Sequence, residues 1–301
     1  MATKKPKTGK PKTQKKSDKP EKTAKTAKTT TTVVKAETVK NDGKKPVFKG
    51  FFAKKGDPNE TVLTIFKSHK IWGALIGELV GTMLFTMLLL TLGIQPLYMV
   101  FAAVGIYIVI AGISGAQLNP VFTAGMMATR RISAIRGVLY ILAQVIGAWA
   151  GLMIINAFRM GSGTETELPV MQAVTGDSFW MVTLVELMGA IMLGFFYNRA
   201  VKYQKKSPLT FALVVTSGIT LAIIFGIVIA QSYFSATGNT FIFNPAAALM
   251  YQVLPSTADS FGQLMGNICL ALGAYVVGPI IGGIAGFFLA DSASRLSDEE
   301  A

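Results

Sequence analysis

Two short stretches decide how this chain folds: SGAQLNPVFTAG at residues 114–125 and FNPAAAL at residues 243–249. Each carries Asn-Pro at the head of a short apolar run, VFTAGMMA after Pro120 and AAALMYQVL after Pro245. Proline suits the first turn of a helix, where its missing N–H had no partner to lose. Asparagine just before it is a good N-cap, because its side-chain oxygen accepts from a free N–H of that turn. Each stretch therefore predicts a helix that starts at Asn-Pro. Neither is long enough to cross a bilayer, which takes about 20 apolar residues.

Around them lie six runs that are long enough, at about 71–93, 97–116, 136–158, 179–200, 208–231 and 262–290. The last is long enough to include an amphipathic entry. The loops between these spans alternate in charge. The loop after the first has no Lys or Arg, and the second loop carries Arg130, Arg131 and Arg136. The third has Arg159 among Glu165, Glu167 and Asp177, and the fourth has Arg199, Lys202, Lys205 and Lys206. The fifth has no basic residue, and Arg295 follows the last span. Basic loops stay on the cytoplasmic side, so both termini are expected in the cytoplasm and the protein in the cell (plasma) membrane.

The chain also repeats itself. Glu78-x-x-Gly81 on the first span matches Glu186-x-x-Gly189 on the fourth, and Gly147 to Gly151 on the third matches Gly282 to Gly286 on the sixth. Three spans per half is an odd number, so the second copy is inverted in the membrane, and inverted repeats with broken helices keep their working site near the midplane. The two Asn-Pro helices then enter from opposite sides and meet start to start. Irregular backbone at that depth is tolerated only against protein or water. A water-filled passage between the two caps is the economical arrangement, and two positive helix ends facing it repel cations.

Composition agrees. Of 301 residues, 51% are hydrophobic and 15% charged, and the mean hydropathy is +0.48, against about 25% charged in a soluble chain. The net charge of +13 belongs to one end: residues 1–60 hold 18 of the 29 basic residues and 6 of the 16 acidic ones. Residues 1–60 read as a disordered Lys-rich cytoplasmic tail, with too little apolar surface to fold. The tail reads first as a solvated, orientation-setting extension, with contact to anionic lipid as the competing reading. Nucleic-acid binding is disfavoured, because the aromatic platforms for base stacking are missing. Residues 61–292 form the membrane domain, in inverted halves at about 70–160 and 178–290, and 293–301 a short cytoplasmic C-terminus. One cysteine, Cys269, rules out an internal disulfide, and one histidine, His69, leaves no zinc set. No nucleophile–base pair and no phosphate loop appears, so neither an enzyme nor a cofactor or metal is expected.

Taken together, the two Asn-Pro stretches, the Glu78 and Glu186 contexts, Tyr140 to Gly147 and Gly278-Pro279-x-x-Gly282 resemble the aquaporin and glycerol-facilitator (major intrinsic protein) family over residues 70–290. The resemblance implies an all-α membrane protein of six transmembrane helices plus two re-entrant half-helices. It also implies a homotetramer with one pore per subunit, passing water or a small neutral solute such as glycerol. The pore motifs would be Asn119, Pro120, Val121 and Asn244, Pro245, Ala246, with the Asn amides donating to the solute. By residue count the outer constriction would be Met99, Ser232, Phe241 and Ala247.

The chain departs from the family where Val121 replaces Ala, which is expected to narrow or dry one wall. Gln117 stands where many members have His. Ala247 stands where an Arg is usual, which predicts a wider, more apolar constriction. Glu78, Gln144 and Glu186 have two readings, as a proton relay or as acceptors for re-entrant backbone. The resemblance implies the second. A proton-coupled secondary transporter is the alternative, disfavoured by two matched Asn-Pro caps, and a pore-closed protein whose tail binds partners is a third reading.

Overall fold

The structure is a computed structural model that describes residues 66–92, 95–162, 174–234, 241–254 and 260–299. The tail at residues 1–60 lies outside them. Among the described residues nine helices follow in order: α1 His69–Leu92, α2 Pro96–Ala111, α3 Pro120–Ala128, α4 Ala134–Gly161, α5 Gly176–Val201, α6 Pro208–Ile229, α7 Pro245–Ala248, α8 Phe261–Leu272 and α9 Gly278–Glu299. Wider π-helical turns extend α6 (Ala230–Phe234), extend α7 (Leu249–Val253) and join α8 to α9 (Gly273–Val277). No strand occurs among the described residues.

Five of these elements are long and apolar enough to cross a bilayer: α1, α4, α5, α6 and the joined α8–α9. The sixth, α2, is shorter than the sequence suggests. It has 16 residues and stops at Ala111, where Gly112 caps it, so it rises about 24 Å. The residues that follow leave the helix because Gly115, Ala116 and Leu118 take left-handed backbone at φ 102°, 48° and 55°. The last span differs the other way. Pro279 has no N–H for the turn before it, and that turn widens so that Gly278 N–H bonds Gly273 O. Such a π-turn absorbs an interior proline without breaking the helix. The helix then continues to Glu299, through the stretch read as a C-terminal segment.

The chain crosses back and forth, so one end of the bundle holds the start of α1 and the finish of α9. We call this the terminal end and the opposite one the far end. The two halves pack alike. The α1–α4 pair closes on Gly147, where an added Cβ would come within 2.2 Å of Leu79 O. The α5–α9 pair closes on Gly286, where it would come within 2.2 Å of Ile191 O. Backbone oxygens cannot move aside, so only glycine admits this approach, as in other membrane helix pairs.

Large apolar side chains cover the outside, among them Phe101, Val109, Leu142, Trp149, Leu184, Leu213, Leu221 and Val228, all exposed. A surface apolar on every outward face suits lipid and not water. Trp72 and Trp180 are exposed near the starts of α1 and α5, where aromatic side chains anchor at an interface.

Candidate functional site

The site begins with two short helices placed start to start. Asn119 caps α3, its Oδ1 accepting from Val121 N–H at 2.9 Å. Asn244 caps α7, its Oδ1 accepting from Ala246 N–H at 3.1 Å and Ala247 N–H at 3.4 Å. With each oxygen turned to its own helix, each amide nitrogen points outward. Asn119 Nδ2 donates to Phe243 O at 2.8 Å, and Asn244 Nδ2 to Leu118 O at 3.2 Å. The two caps are thus cross-linked by a reciprocal pair of hydrogen bonds. An amide carries two N–H groups, so each Asn keeps a second donor for whatever lies beside it.

The residue before each Asn is held in strained backbone: Leu118 has φ 55° and Phe243 has φ 54°. Two features of each half hold it there. The buried Glu78 accepts from Gln117 N–H (3.0 Å) and Leu118 N–H (2.7 Å), and Glu186 accepts from Ile242 N–H (2.5 Å) and Phe243 N–H (3.0 Å). Three residues further on each helix comes the glycine of Glu-x-x-Gly. A Cβ on Gly81 would lie 2.4 Å from the Leu118 side chain, and one on Gly189 would lie 2.2 Å from the Phe243 ring. The motif thus works as a unit, with Glu taking the strained residue's N–H and Gly making room for its side chain. The spacing and the acceptor role of the Glu were legible in the sequence, but the room that the Gly makes for the strained residue's side chain was not.

Glu78 has further partners: Ser114 Oγ at 2.6 Å and Gln144 Nε2 at 2.8 Å, the latter also donating to Thr123 on α3 at 2.9 Å. Glu186 accepts from the backbone N–H groups of Ile242 and Phe243. A buried carboxyl group is costly unless its acceptors are filled, and here both sets bind re-entrant backbone.

A cavity of about 740 Å³ runs from the far end to the two caps. Asn119 and Asn244 line it, as do Met99, Phe241 and Ala247. Its walls are Phe85, Leu193, Ile219, Ala222, Ile223 and Ile227, and its mouth carries Thr91, Arg159, Gln231 and Tyr251.

Two expectations change here. Ser232 does not line the cavity. Its side chain is exposed, and its hydroxyl donates to Val228 O at 2.9 Å, because the π-turn from Ala230 shifts the register assumed when counting along a regular helix. Ala230 and Gln231 face the cavity instead. Val121 is not a wall residue either. It is fully buried, and the absence of a side chain on Gly283 of α9 leaves it room, since a Cβ there would lie 2.4 Å from Val121 Cγ1. Pro120, Pro245 and Ala246 are buried in the caps.

On the terminal side of the caps lie packed aromatics. Phe122 stacks on Tyr197 at 4.2 Å, and Phe211 meets Tyr107 and Tyr197 edge-on at 6.2 and 5.7 Å. Tyr197 donates to Gly115 O at 3.0 Å, and Gln204 Nε2 donates to the same carbonyl. Below this cluster Arg131 pairs with Asp291 at 2.6 Å and contacts Asn198 at 3.1 Å, tying α3's exit to α5 and α9. The described residues contain no group of His, Cys, Asp and Glu suited to a metal ion.

An all-helical, multi-pass membrane protein built as two inverted halves, each with a capped half-helix, is the class these features define. The major intrinsic protein family pattern matches residues 65–289. The chain belongs to the major intrinsic protein family. It is 26% identical to "Aquaporin AqpM" of Methanothermobacter marburgensis over 192 residues, 61% of this chain and 70% of that one. It is 42% identical to "Probable aquaporin PIP2-1" of Oryza sativa subsp. japonica over 62 residues, which span 19% of this chain and 21% of the relative. With "Probable aquaporin PIP2-8" of Arabidopsis thaliana it shares 30% over 135 residues, about half (49%) of the relative's length. The fold matches the X-ray structure of the aquaglyceroporin from Plasmodium falciparum with a TM-score of 0.59 at 18% identity, covering 77% of this chain and 100% of that chain.

Proposed function

We propose that the chain is a passive channel for water and small uncharged solutes such as glycerol. The observation that carries this reading is the cavity that ends on two amide groups, each with its oxygen committed to its own helix and an N–H to spare. A donor pair fixed this way hydrogen-bonds hydroxyl oxygens in single file, and the two helix starts behind it oppose cations.

At the outer constriction, Met99, Phe241 and Ala247 stand with no guanidinium on α7. Solutes larger than water are then admitted. Glu78 and Glu186 act as structural acceptors and not as a proton relay, since both are absent from the cavity lining and bind re-entrant backbone. This weighs against the coupled transporter. The same reading places both termini in the cytoplasm, the protein in the cell membrane as a homotetramer, and the basic tail against anionic lipid. Of the 11 basic residues after residue 60, all but Arg159 fall at the terminal end or in its loops, as expected of the cytoplasmic side.

Stopped-flow light scattering on proteoliposomes tests the solute range. Fast shrinkage in sucrose with fast re-swelling in glycerol is expected, and Ala247→Arg should slow the glycerol phase while leaving water flux. An unchanged glycerol phase in Ala247→Arg would count against the constriction, and glycerol-tight wild-type vesicles against the solute range.

A further inference from the structure

An inverted repeat implies a second half of the passage like the first, and here the chain fills it. Tyr197 on α5 stands eleven residues past Glu186, as Leu89 on α1 stands eleven past Glu78. Leu89 lines the far cavity. Ala116 and Gln117 precede Asn119 as Phe241 and Ile242 precede Asn244, and that second pair also lines the far cavity. By the same geometry Tyr197, Ala116 and Gln117 border the terminal half of the passage. There the two sides touch. Tyr197 donates its hydroxyl to Gly115 O at 3.0 Å and reaches Ala116 O at 3.4 Å. Its ring stacks on Phe122 at 4.2 Å, lies edge-on to Phe211 at 5.7 Å and is fully buried. Gln204, in the turn between α5 and α6, donates to the same Gly115 carbonyl. Gly115 admits it, since its φ is 102° and a Cβ there would lie 2.8 Å from Gln204 Nε2.

We propose that Tyr197 is a gate, and that the structure holds the terminal half of the passage shut, with the chain's own donors on a carbonyl that a solute would use. The inference rests on the channel reading. A backbone carbonyl has two lone pairs, and those of Gly115 are taken by Tyr197 and Gln204. The seal is light. One net hydrogen bond weights the shut state by about twofold to tenfold. Against that, Gln117 Oε1 is buried with no partner among the described residues, a cost that a water admitted beside it would remove. The shut and open states are then close in energy, and conduction goes through those molecules in which Tyr197 has released the carbonyl. The two halves share one backbone plan and differ in this side chain. Leucine at position 89 has no hydroxyl to offer and leaves the far half open, while tyrosine at position 197 bonds the re-entrant segment and closes the terminal half.

The test uses the full chain in proteoliposomes, with osmotic water flux read per folded protein and folding checked by size exclusion and melting temperature. Tyr197→Leu gives the terminal half the side chain of the far half, and should raise flux about tenfold over wild type. Gln204→Ala removes the second donor and keeps the ring, and should raise it about threefold. The temperature dependence of flux should also be shallower in Tyr197→Leu, because opening no longer precedes passage. A tyrosine that only packs the bundle would give the reverse, a lower melting temperature and no gain in flux. Should Tyr197→Leu fail to fold, Gln204→Ala, in a turn outside the helices, decides alone. A rise in either folded variant supports the gate. Flux at or below the wild-type level in every variant that folds would overturn it, while wild-type flux above that of empty liposomes keeps the channel reading in place. Wild type and variants all at the empty-liposome rate would overturn both.

Discussion

Leu118 and Phe243 adopt left-handed backbone without being glycine, a conformation that costs about 1–3 kcal/mol at each position. The cost is met locally by the Glu two helices away. Glu186 offers both carboxyl oxygens to Ile242 and Phe243 N–H. In Glu186→Gln an amide nitrogen replaces one acceptor, and a buried N–H loses its partner at about 1–3 kcal/mol. The expected result is a lower melting temperature in detergent. Flux should survive in the protein that remains folded, with no new dependence on a proton gradient. Unchanged melting with abolished flux would point to a chemical role for the carboxyl group. At this scale much was legible: Asn-Pro reads as a helix start from residue type alone, and the Glu-x-x-Gly repeat shows in the spacing. The orientation of Ser232 was not, since whether a helix winds as α or π at Ala230 depends on tertiary contacts. The burial of Val121 is hidden for a related reason, as the space that receives it is made by Gly283, 162 positions away in sequence.

Among the elements, the glycines on α4 and α9 set how closely the inverted pairs approach. Gly147→Ala and Gly286→Ala each place a methyl group within 2.2 Å of a carbonyl oxygen on the neighbouring helix, so the helices must part. Loss of folded protein is expected for both, read as a lower yield of monodisperse protein and a lower melting temperature. Gly73 on α1 has nothing within 4 Å of the added Cβ. Gly73→Ala should be neutral or stabilising by up to about 1 kcal/mol through helix propensity. A matched fall in all three would remove the close-packing argument. The sequence exposed these pairs because a Gly-rich face has few other uses inside lipid. The stop of α2 after 16 residues follows from Gly112, Ser114 and Gly115, weak helix formers that Ile113 and Ala116 hide in a count of apolar residues.

For the whole molecule, the apolar outer surface follows from composition, the one-sided charge from the order of the loops, and the inverted architecture from the repeated motifs; the family match bears out the fold. What composition hides is where side chains converge on a cavity. Arg159, in sequence a loop residue, lies in the last turn of α4 and lines the cavity. The described passage is open from the far end to the caps and tightly filled by aromatic side chains beyond them. Transport across the whole bundle, in either direction, therefore passes through the far cavity. Osmotic shrinkage of proteoliposomes, wild type against Ala247→Trp, tests that claim most directly. The account predicts that wild-type vesicles shrink several-fold faster than empty ones, and that the indole at position 247 returns them to the rate of empty liposomes with the protein still folded. Wild-type shrinkage at the empty-vesicle rate, or full water flux past the indole, would contradict it.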